Sequence, residues 1–122
     1  MGKLHVGCRV ENIGKRERNI VVDKLLVDTG SEYTWLPVAF LSGIGIKREK
    51  KDLRFIMANG TTITRSVGFA IVRVGDSFTV DEVVFAEEGD LMHLGARTLE
   101  GLSFVVDPRR KKLVASGPIP AA

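Results

Sequence analysis

The chain is a succession of short apolar segments rich in Val, Ile and Phe, which Gly, Asn and Asp separate at the intervals of an all-β protein. One short helix is predicted from Ala96 to Glu100, because Gly95 precedes this segment and Gly101 follows it. The sequence therefore predicts an all-β fold with a short helix near the C-terminus. Strands are predicted at about Leu4 to Val10, Asn19 to Val27, Tyr33 to Leu36, Arg54 to Ala58, Thr62 to Val74, Phe78 to Phe85, Leu102 to Val106 and Lys112 to Ala115.

Length and composition limit the organisation of the chain. With 122 residues and 44% hydrophobic content it can bury one core, so residues 1–122 are expected to form a single domain. No apolar run approaches the roughly 18 residues of a membrane span, and no apolar signal core follows Met1, so neither membrane insertion nor secretion is expected. Gly2 is a weak candidate for lipidation, because the N-myristoylation signal has Ser or Thr at the position that Val6 occupies here. Cys8 is the only cysteine, which favours a reducing, cytoplasmic location.

The formal net charge of +3 comes mainly from three basic clusters, at Lys15 to Arg18, Lys47 to Lys51 and Arg109 to Lys112. Each cluster lies between apolar runs and is interpreted as a solvated loop. Aromatic residues do not alternate with these charges, so a nucleic-acid partner is not expected, although a basic binder with steep salt dependence stays an alternative. His5 and His93 have no ligand spacing, and no metal or other cofactor is expected.

Two turns have distinctive chemistry. Ala58-Asn59-Gly60-Thr61 contains the Asn-Gly pair that tight hairpins prefer, and Val106-Asp107-Pro108-Arg109 places Pro where a turn fixes φ. Both turns are predicted to be hairpin tips.

The segment from Leu25 to Pro37 concentrates the chemistry. Asp28 comes directly after an apolar strand and is followed by Thr29 and Gly30. A surface aspartate in a turn is the simplest interpretation, and Asp-Thr-Gly alone carries modest weight. The apolar strand before it and the Trp-Leu-Pro strand after it indicate instead that a packed scaffold holds the carboxylate.

Val27 to Pro37 resembles the active-site segment of aspartic proteases, in which Asp-Thr-Gly-Ser or Asp-Thr-Gly-Ala joins an apolar strand to one that contains Trp and ends in Pro. Met92 to Leu99 is similar to a second family feature, an apolar pair and a glycine before a short helix. The Asn-Gly hairpin lies between them, as the substrate-covering flap does in retroviral proteases. The chain thus resembles a retropepsin-like aspartic protease over most of its length, which implies a closed β-barrel that is active as a homodimer.

The resemblance implies an aspartic endopeptidase that hydrolyses peptide bonds in a peptide or protein substrate. Two carboxylates must share one proton across a bound water, so that one accepts the proton of the water while the other polarises the scissile carbonyl. The chain holds one Asp-Thr-Gly, and no other acidic residue has a similar setting. The second carboxylate is therefore expected from Asp28 of a second copy, across a twofold axis.

The same resemblance assigns roles to the loop after Asp28. Thr29 is expected to bond to its twin loop across the axis, and Gly30 to allow close backbone approach. Ser31 is expected to donate a hydrogen bond to the Asp28 carboxylate and favour its charged form.

The resemblance also assigns roles to residues of the segment from Met92 to Leu99 and of the Asn-Gly hairpin. Leu94, Gly95 and Arg97 are expected to support the active-site loop, and Arg97 is expected to pair with Glu32. His93 departs from the family pattern, which has an aliphatic residue there, and a packed histidine with a satisfied ring nitrogen is favoured over a pH-sensing role. The predicted flap tip consists of Ala58, Asn59, Gly60 and Thr61.

Functions of other classes stay open. The fold could serve as a dimerisation or peptide-binding module without hydrolysis, because a fold does not guarantee an activity. The intact Asp28, Thr29 and Gly30 argue against that alternative. A metal hydrolase has the least support, because no His/Cys/carboxylate cluster is visible in the sequence. The natural substrate cannot be inferred from these residues.

Overall fold

A computed structural model describes residues 3–122, and Gly2, the candidate for lipidation, lies outside this range. The described chain is mostly β, which confirms the predicted class at that level. In chain order its elements are β1 His5–Glu11, β2 Asn19–Val27, β3 Thr34–Pro37, α1 Val38–Gly43, β4 Lys50–Ile56, β5 Thr62–Val74, β6 Ser77–Ala86, β7 His93–Leu94, α2 Ala96–Leu102, β8 Phe104–Asp107 and β9 Lys112–Ala115.

Seven of these strands form one sheet in the order β1-β2-β7-β3-β6-β5-β4. β5 also pairs with β1, from Arg9↔Arg73 to Glu11↔Ile71, so the sheet curves until these two strands meet. Most pairs are antiparallel, but β7 runs parallel to β2, and β3 runs parallel to β6. β8 and β9 form a separate two-stranded sheet.

The centre of the sheet is buried on both faces. Successive side chains of a strand point to opposite faces of the sheet. Trp35 and its register partner Val84 therefore pack in one group of buried apolar side chains, while Leu36 and Phe85 pack in a second group on the other face. All four side chains are buried. Burial of a large apolar side chain stabilises the fold by roughly 1.5–3 kcal/mol. The strand that leaves the Asp-Thr-Gly segment is therefore held rigidly from both sides.

Two short elements, α1 and β7, were not predicted from the sequence. Because α1 is a second helix, the prediction of one helix was wrong. Segment α1 is rich in Val, Phe and Leu and spans six residues, but Pro37 at its N-cap ends β3 and the chain turns into a helix. β7 is only two residues long and is defined by pairing with both β2 and β3. The predicted helix near the C-terminus is present and extends to Leu102. The strands predicted at 19–27, 62–74 and 112–115 have those bounds.

Both predicted hairpin tips are confirmed. Residues 57–61 connect β4 to β5, and Gly60 adopts φ +86°, a left-handed conformation that favours glycine. Residues 108–111 connect β8 to β9 after Asp107, whose carboxylate accepts hydrogen bonds from the backbone N–H groups of Arg109 and Arg110. Among the helices of residues 3–122, none has the length and apolar character needed to cross a membrane.

Candidate active site

Asp28 stands immediately after β2, in a tight turn. Its backbone N–H donates to the carbonyl of Leu94 at 2.9 Å, which continues the parallel pairing of β2 with β7. The backbone N–H of Gly30 donates to Asp28 Oδ1 at 3.0 Å, and the N–H of Ser31 donates to the Asp28 carbonyl at 3.2 Å. The turn therefore fixes both the backbone and the carboxylate of Asp28, whose side chain is half-buried. Thr29 and Gly30 are exposed at its tip.

Gly95 and the first residues of α2 are in direct contact with the segment that follows this turn. The N–H of Ala96 donates to the Ser31 carbonyl at 2.7 Å, and the N–H of Arg97 donates to the Glu32 carbonyl at 3.0 Å. A Cβ at Gly95 would lie 2.4 Å from the carbonyl oxygen of Tyr33. Glycine is needed there because the helix begins in direct contact with the active-site segment.

A chain of buried hydroxyl groups, missed in the sequence, connects this support to the sheet. The N–H of Gly95 donates to Thr34 Oγ1 at 3.0 Å, and Thr34 Oγ1 lies 2.5 Å from Thr98 Oγ1. Thr98 Oγ1 donates to Asp81 Oδ2 at 2.9 Å, so the proton between the two threonines comes from Thr34. Both threonines are fully buried. The available signal was a polar Thr34 within the apolar Trp-Leu strand.

Ser31 does not make the predicted bond to Asp28. Its hydroxyl donates to the Tyr33 carbonyl at 3.2 Å and lies 2.7 Å from Nε2 of His93. The prediction was wrong because the turn directs the Asp28 carboxylate to the Gly30 N–H, while Ser31 faces β7.

His93 is half-buried next to this turn. Its ring packs on Trp35 with the centroids 6.0 Å apart. Burial lowers the pKa of His93 below its usual value, against the opposing effects of the Asp28 charge and of a hydrogen bond to the Tyr33 backbone. One ring nitrogen is satisfied by Ser31, as the packed-histidine interpretation requires.

Arg97 has a different ionic partner from the predicted one. Its Nη1 lies 3.2 Å from Oε2 of Glu82, and its guanidinium lies over the Tyr33 ring at 4.7 Å from the centroid. Glu82 also binds Lys50, and the hydrogen bond from Lys50 lowers the pKa of the Glu82 carboxyl. The predicted pairing with Glu32 was wrong, because α2 uses the Glu32 carbonyl and directs the Arg97 side chain towards β6.

The predicted flap residues form the exposed loop between β4 and β5. Asn59 Oδ1 accepts from the N–H and the hydroxyl of Thr61, at 3.0 and 2.7 Å, which closes the tip. Below the tip, Phe55 on β4 makes edge contacts with Trp35 at 5.2 Å and with Tyr33 at 5.6 Å between centroids. The stem of this hairpin is thereby packed against the strand that leaves the Asp-Thr-Gly turn.

A further contact missed in the sequence joins the same hairpin to the turn before β7. Arg65 on β5 donates to both carboxylate oxygens of Asp90, at 2.7 and 2.8 Å. Asp90 Oδ2 also accepts from the N–H of Glu87 at 2.8 Å. Arg65 thus holds the turn at 87–90 that leads into His93.

These features define a class of protein: a mostly β chain in which an Asp-Thr-Gly turn is supported by a Leu-Gly segment and a short helix. A family model described as "Aspartyl protease" matches residues 19–104, well over half of the chain. The chain belongs to the aspartyl protease family. The matched region includes Asp28, the 57–61 hairpin and Gly95. No curated protein matches the chain. Within residues 3–122 no group of three or more His, Cys, Asp or Glu side chains is arranged to hold a metal ion.

Proposed function

We propose that this chain is an aspartic endopeptidase in which Asp28 is the catalytic residue and a homodimer provides the second Asp28. The observation that carries the proposal is the fixed position of the Asp28 carboxylate, which accepts from the Gly30 N–H at the end of a strand bound to Leu94. A preorganised carboxylate loses little freedom when it activates water. The substrate would be a peptide or protein, and the reaction uses no cofactor.

The other half-buried or buried carboxylates of the described chain have partners of their own. Arg73 binds Glu11, Arg65 binds Asp90, Lys50 binds Glu82, Arg110 pairs with Asp107, and the Thr98 hydroxyl donates to Asp81. Two carboxylates about 3 Å apart cannot both ionise, so a pair holds one proton and titrates as a unit. In the proposed dimer one carboxylate accepts the proton of the water, and the other, protonated, polarises the scissile carbonyl.

A twofold axis between the two Asp28 residues would make the interface isologous. Thr29 and Gly30 are exposed at the tip of the turn and are available for contact with the partner loop. The pairing of β5 with β1 supports the further proposal that the sheet closes into a barrel. We also propose a cytoplasmic location, where the buried Cys8 thiol stays reduced.

Substrate would bind between the active-site turn and the 57–61 hairpin, here proposed as a flap. β4 is an edge strand of the sheet, and an extended peptide can add main-chain hydrogen bonds to such an edge. Closure of the hairpin would exclude water from the bound peptide.

Cleavage of an unfolded protein substrate from about pH 4 to 7, where a carboxylate pair can hold one proton, tests the proposal with Asp28→Asn. The matched control is Asp23→Asn, which changes an exposed aspartate on β2, the strand that leads into Asp28. We expect Asp28→Asn to abolish cleavage and Asp23→Asn to retain it. Cleavage by Asp28→Asn would refute the catalytic assignment. If neither wild type nor variant cleaves while both dimerise, the chain is better described as a peptide-binding module.

A further inference from the structure

His93 and Asp28 lie on the same face of the β2–β7 pair. His93 is the register partner of Leu26, and Leu94 is the partner of Val27. The hydrogen bond from the Asp28 N–H to Leu94 continues this register by one residue. Because side chains alternate along a strand, Asp28 points to the same side as Leu26 and hence as His93. Gly95 directly follows β7 and has no side chain that could lie between His93 and Asp28.

The imidazole is in direct contact with the active-site segment on two sides. Nε2 lies 2.7 Å from Ser31 Oγ, and Ser31 is three residues after Asp28 in the same turn. The ring also packs on Trp35, its register partner on β3. His93 therefore connects the Asp-Thr-Gly turn to the strand that leaves it.

The charged group that acts on the His93 ring within the described chain is Asp28, from the end of β2. Tyr33, which directly precedes β3, presents its backbone to the ring, while its phenol contacts Glu82 and Arg97. Burial lowers the pKa of His93 below its usual value, so the ring gains its proton at a lower pH than an exposed histidine does. A positive charge on the ring would lie beside Asp28, where a carboxylate pair has to keep one negative charge.

We propose that His93 is a positioning residue of the active site, which holds Ser31 through its ring nitrogen and, once protonated, stabilises the charged carboxylate of Asp28. This inference rests on the proposed function. It predicts that the enzyme keeps its activity at lower pH than it would with an aliphatic residue in this place. A histidine with a packing role alone would affect activity equally at every pH.

Two substitutions separate the two roles. His93→Gln can still bond to Ser31 but cannot be protonated, and His93→Leu loses both properties. The quantity to compare is the ratio of kcat/KM at pH 4 to kcat/KM at pH 6. We expect this ratio to be about threefold lower in His93→Gln than in wild type, which is the effect of one unit charge several ångströms away in a polar site. His93→Leu should show the same acid-side loss and a further loss at pH 6. The comparison variant is His5→Gln, which removes the exposed imidazole on β1, the other register partner of Leu26. His93→Gln should show the larger acid-side loss, and an equal loss in His5→Gln would overturn a specific role for His93. An unchanged profile in His93→Gln overturns the charge role.

A second measurement needs neither proteolysis nor a substitution at His93. In a His5→Gln background one imidazole remains, so its NMR titration reports the His93 pKa. Because coupling is reciprocal, Asp28→Asn should lower that pKa further. An unchanged imidazole titration would overturn the inference even if the enzyme cleaves normally. A chain that shows the coupling but never cleaves would establish the charge interaction between His93 and Asp28 and refute the proposed function.

Discussion

Gly95 lies where the segment after the Asp-Thr-Gly turn is in direct contact with the start of α2. A Cβ there would come within 2.4 Å of the Tyr33 carbonyl oxygen and 2.8 Å of the Glu32 carbonyl oxygen. Both are backbone atoms, and the Glu32 carbonyl accepts the Arg97 N–H, so neither can move without loss of support for the turn. Gly95→Ala is expected to lower the free energy of unfolding by about 2–3 kcal/mol, as overpacking does. Urea denaturation followed by circular dichroism measures this change.

Gly43 provides the matched control for that substitution. It lies in α1, where an added Cβ meets no heavy atom within 4 Å. Ala is a better helix former than Gly by up to about 1 kcal/mol, so Gly43→Ala should be neutral or slightly stabilising. Equal unfolding midpoints for Gly95→Ala and wild type would show that the segment after Asp28 is more plastic than its contacts indicate.

The sequence predicted which residues lie together at the Asp-Thr-Gly turn better than it predicted their contacts. Asp28 was identified because apolar strands precede and follow its turn. Gly95 was identified because it follows an apolar residue and directly precedes a short helix. Ser31 and Arg97 were assigned the wrong partners, because a side-chain direction depends on tertiary neighbours such as His93 and Glu82 that sequence spacing does not reveal.

Among the elements, β5 stabilises the turn at 87–90 through Arg65 and Asp90, whose side chains are 16% and 10% exposed. The hydrogen bond from Arg65 lowers the pKa of the Asp90 carboxyl below 3.8. A carboxyl whose pKa is lower in the folded protein than in the unfolded chain stabilises the fold when the pH is above the unfolded-state pKa. This contribution is lost as the pH falls through the folded-state pKa. Asp90→Asn should therefore lower the free energy of unfolding by roughly 2 kcal/mol at pH 7. The gap to wild type should narrow below about pH 3.8. Urea denaturation at pH 7 and pH 3 tests both statements.

The exposed ion pair between Arg110 and Asp107 is the control for the Arg65–Asp90 pair. Its atoms are 3.6 Å apart and the Arg110 side chain is 68% exposed. Exposed pairs contribute about 0–1 kcal/mol, so Arg110→Gln should change stability little at either pH. A gap for Asp90→Asn that is the same at pH 7 and pH 3 would argue against an ionic role for Asp90.

Two glycines in hairpin turns, Gly60 between β4 and β5 and Gly75 between β5 and β6, allow a test of the flap in which the two variants lose similar stability. Gly60 and Gly75 have φ of +86° and +59°, and a Cβ at either meets no heavy atom within 4 Å. Alanine at either site therefore carries a similar backbone strain, of order 1 kcal/mol. Only Gly60 lies in the proposed flap, so Gly60→Ala should change kcat/KM several-fold, while Gly75→Ala should leave it close to wild type. Equal effects on peptide cleavage would remove the functional distinction between the two hairpins.

Element prediction succeeded where local pattern decides and failed where pairing decides. β2, β5 and β9 have their predicted bounds, because each is rich in aliphatic residues and lies between polar segments or turns. The two-residue β7 carries no periodicity of its own. It is a strand because Leu26 and Trp35 pair with it from both sides, and a single sequence does not contain that information.

For the whole molecule, the central question is whether one active site belongs to one chain or to two. The described chain holds one Asp-Thr-Gly turn, and its other shielded carboxylates bind cationic or hydroxyl partners. In the proposed homodimer the second carboxylate comes from another copy, so activity per chain should rise with protein concentration until the dimer is saturated.

Mixing wild type with Asp28→Asn distinguishes the two arrangements without knowledge of the natural substrate. At constant total concentration, after joint refolding to exchange subunits, a site built from two chains is complete only when both carry Asp28. Activity should then follow the square of the wild-type fraction, so that an equal mixture retains about a quarter of the wild-type rate, since random pairing makes that fraction of wild-type dimers. Asp23→Asn, mixed in the same way, should leave the rate unchanged. A linear fall with the Asp28→Asn fraction would mean that each chain carries a complete site, and the second proton-sharing group would have to be sought within the same molecule.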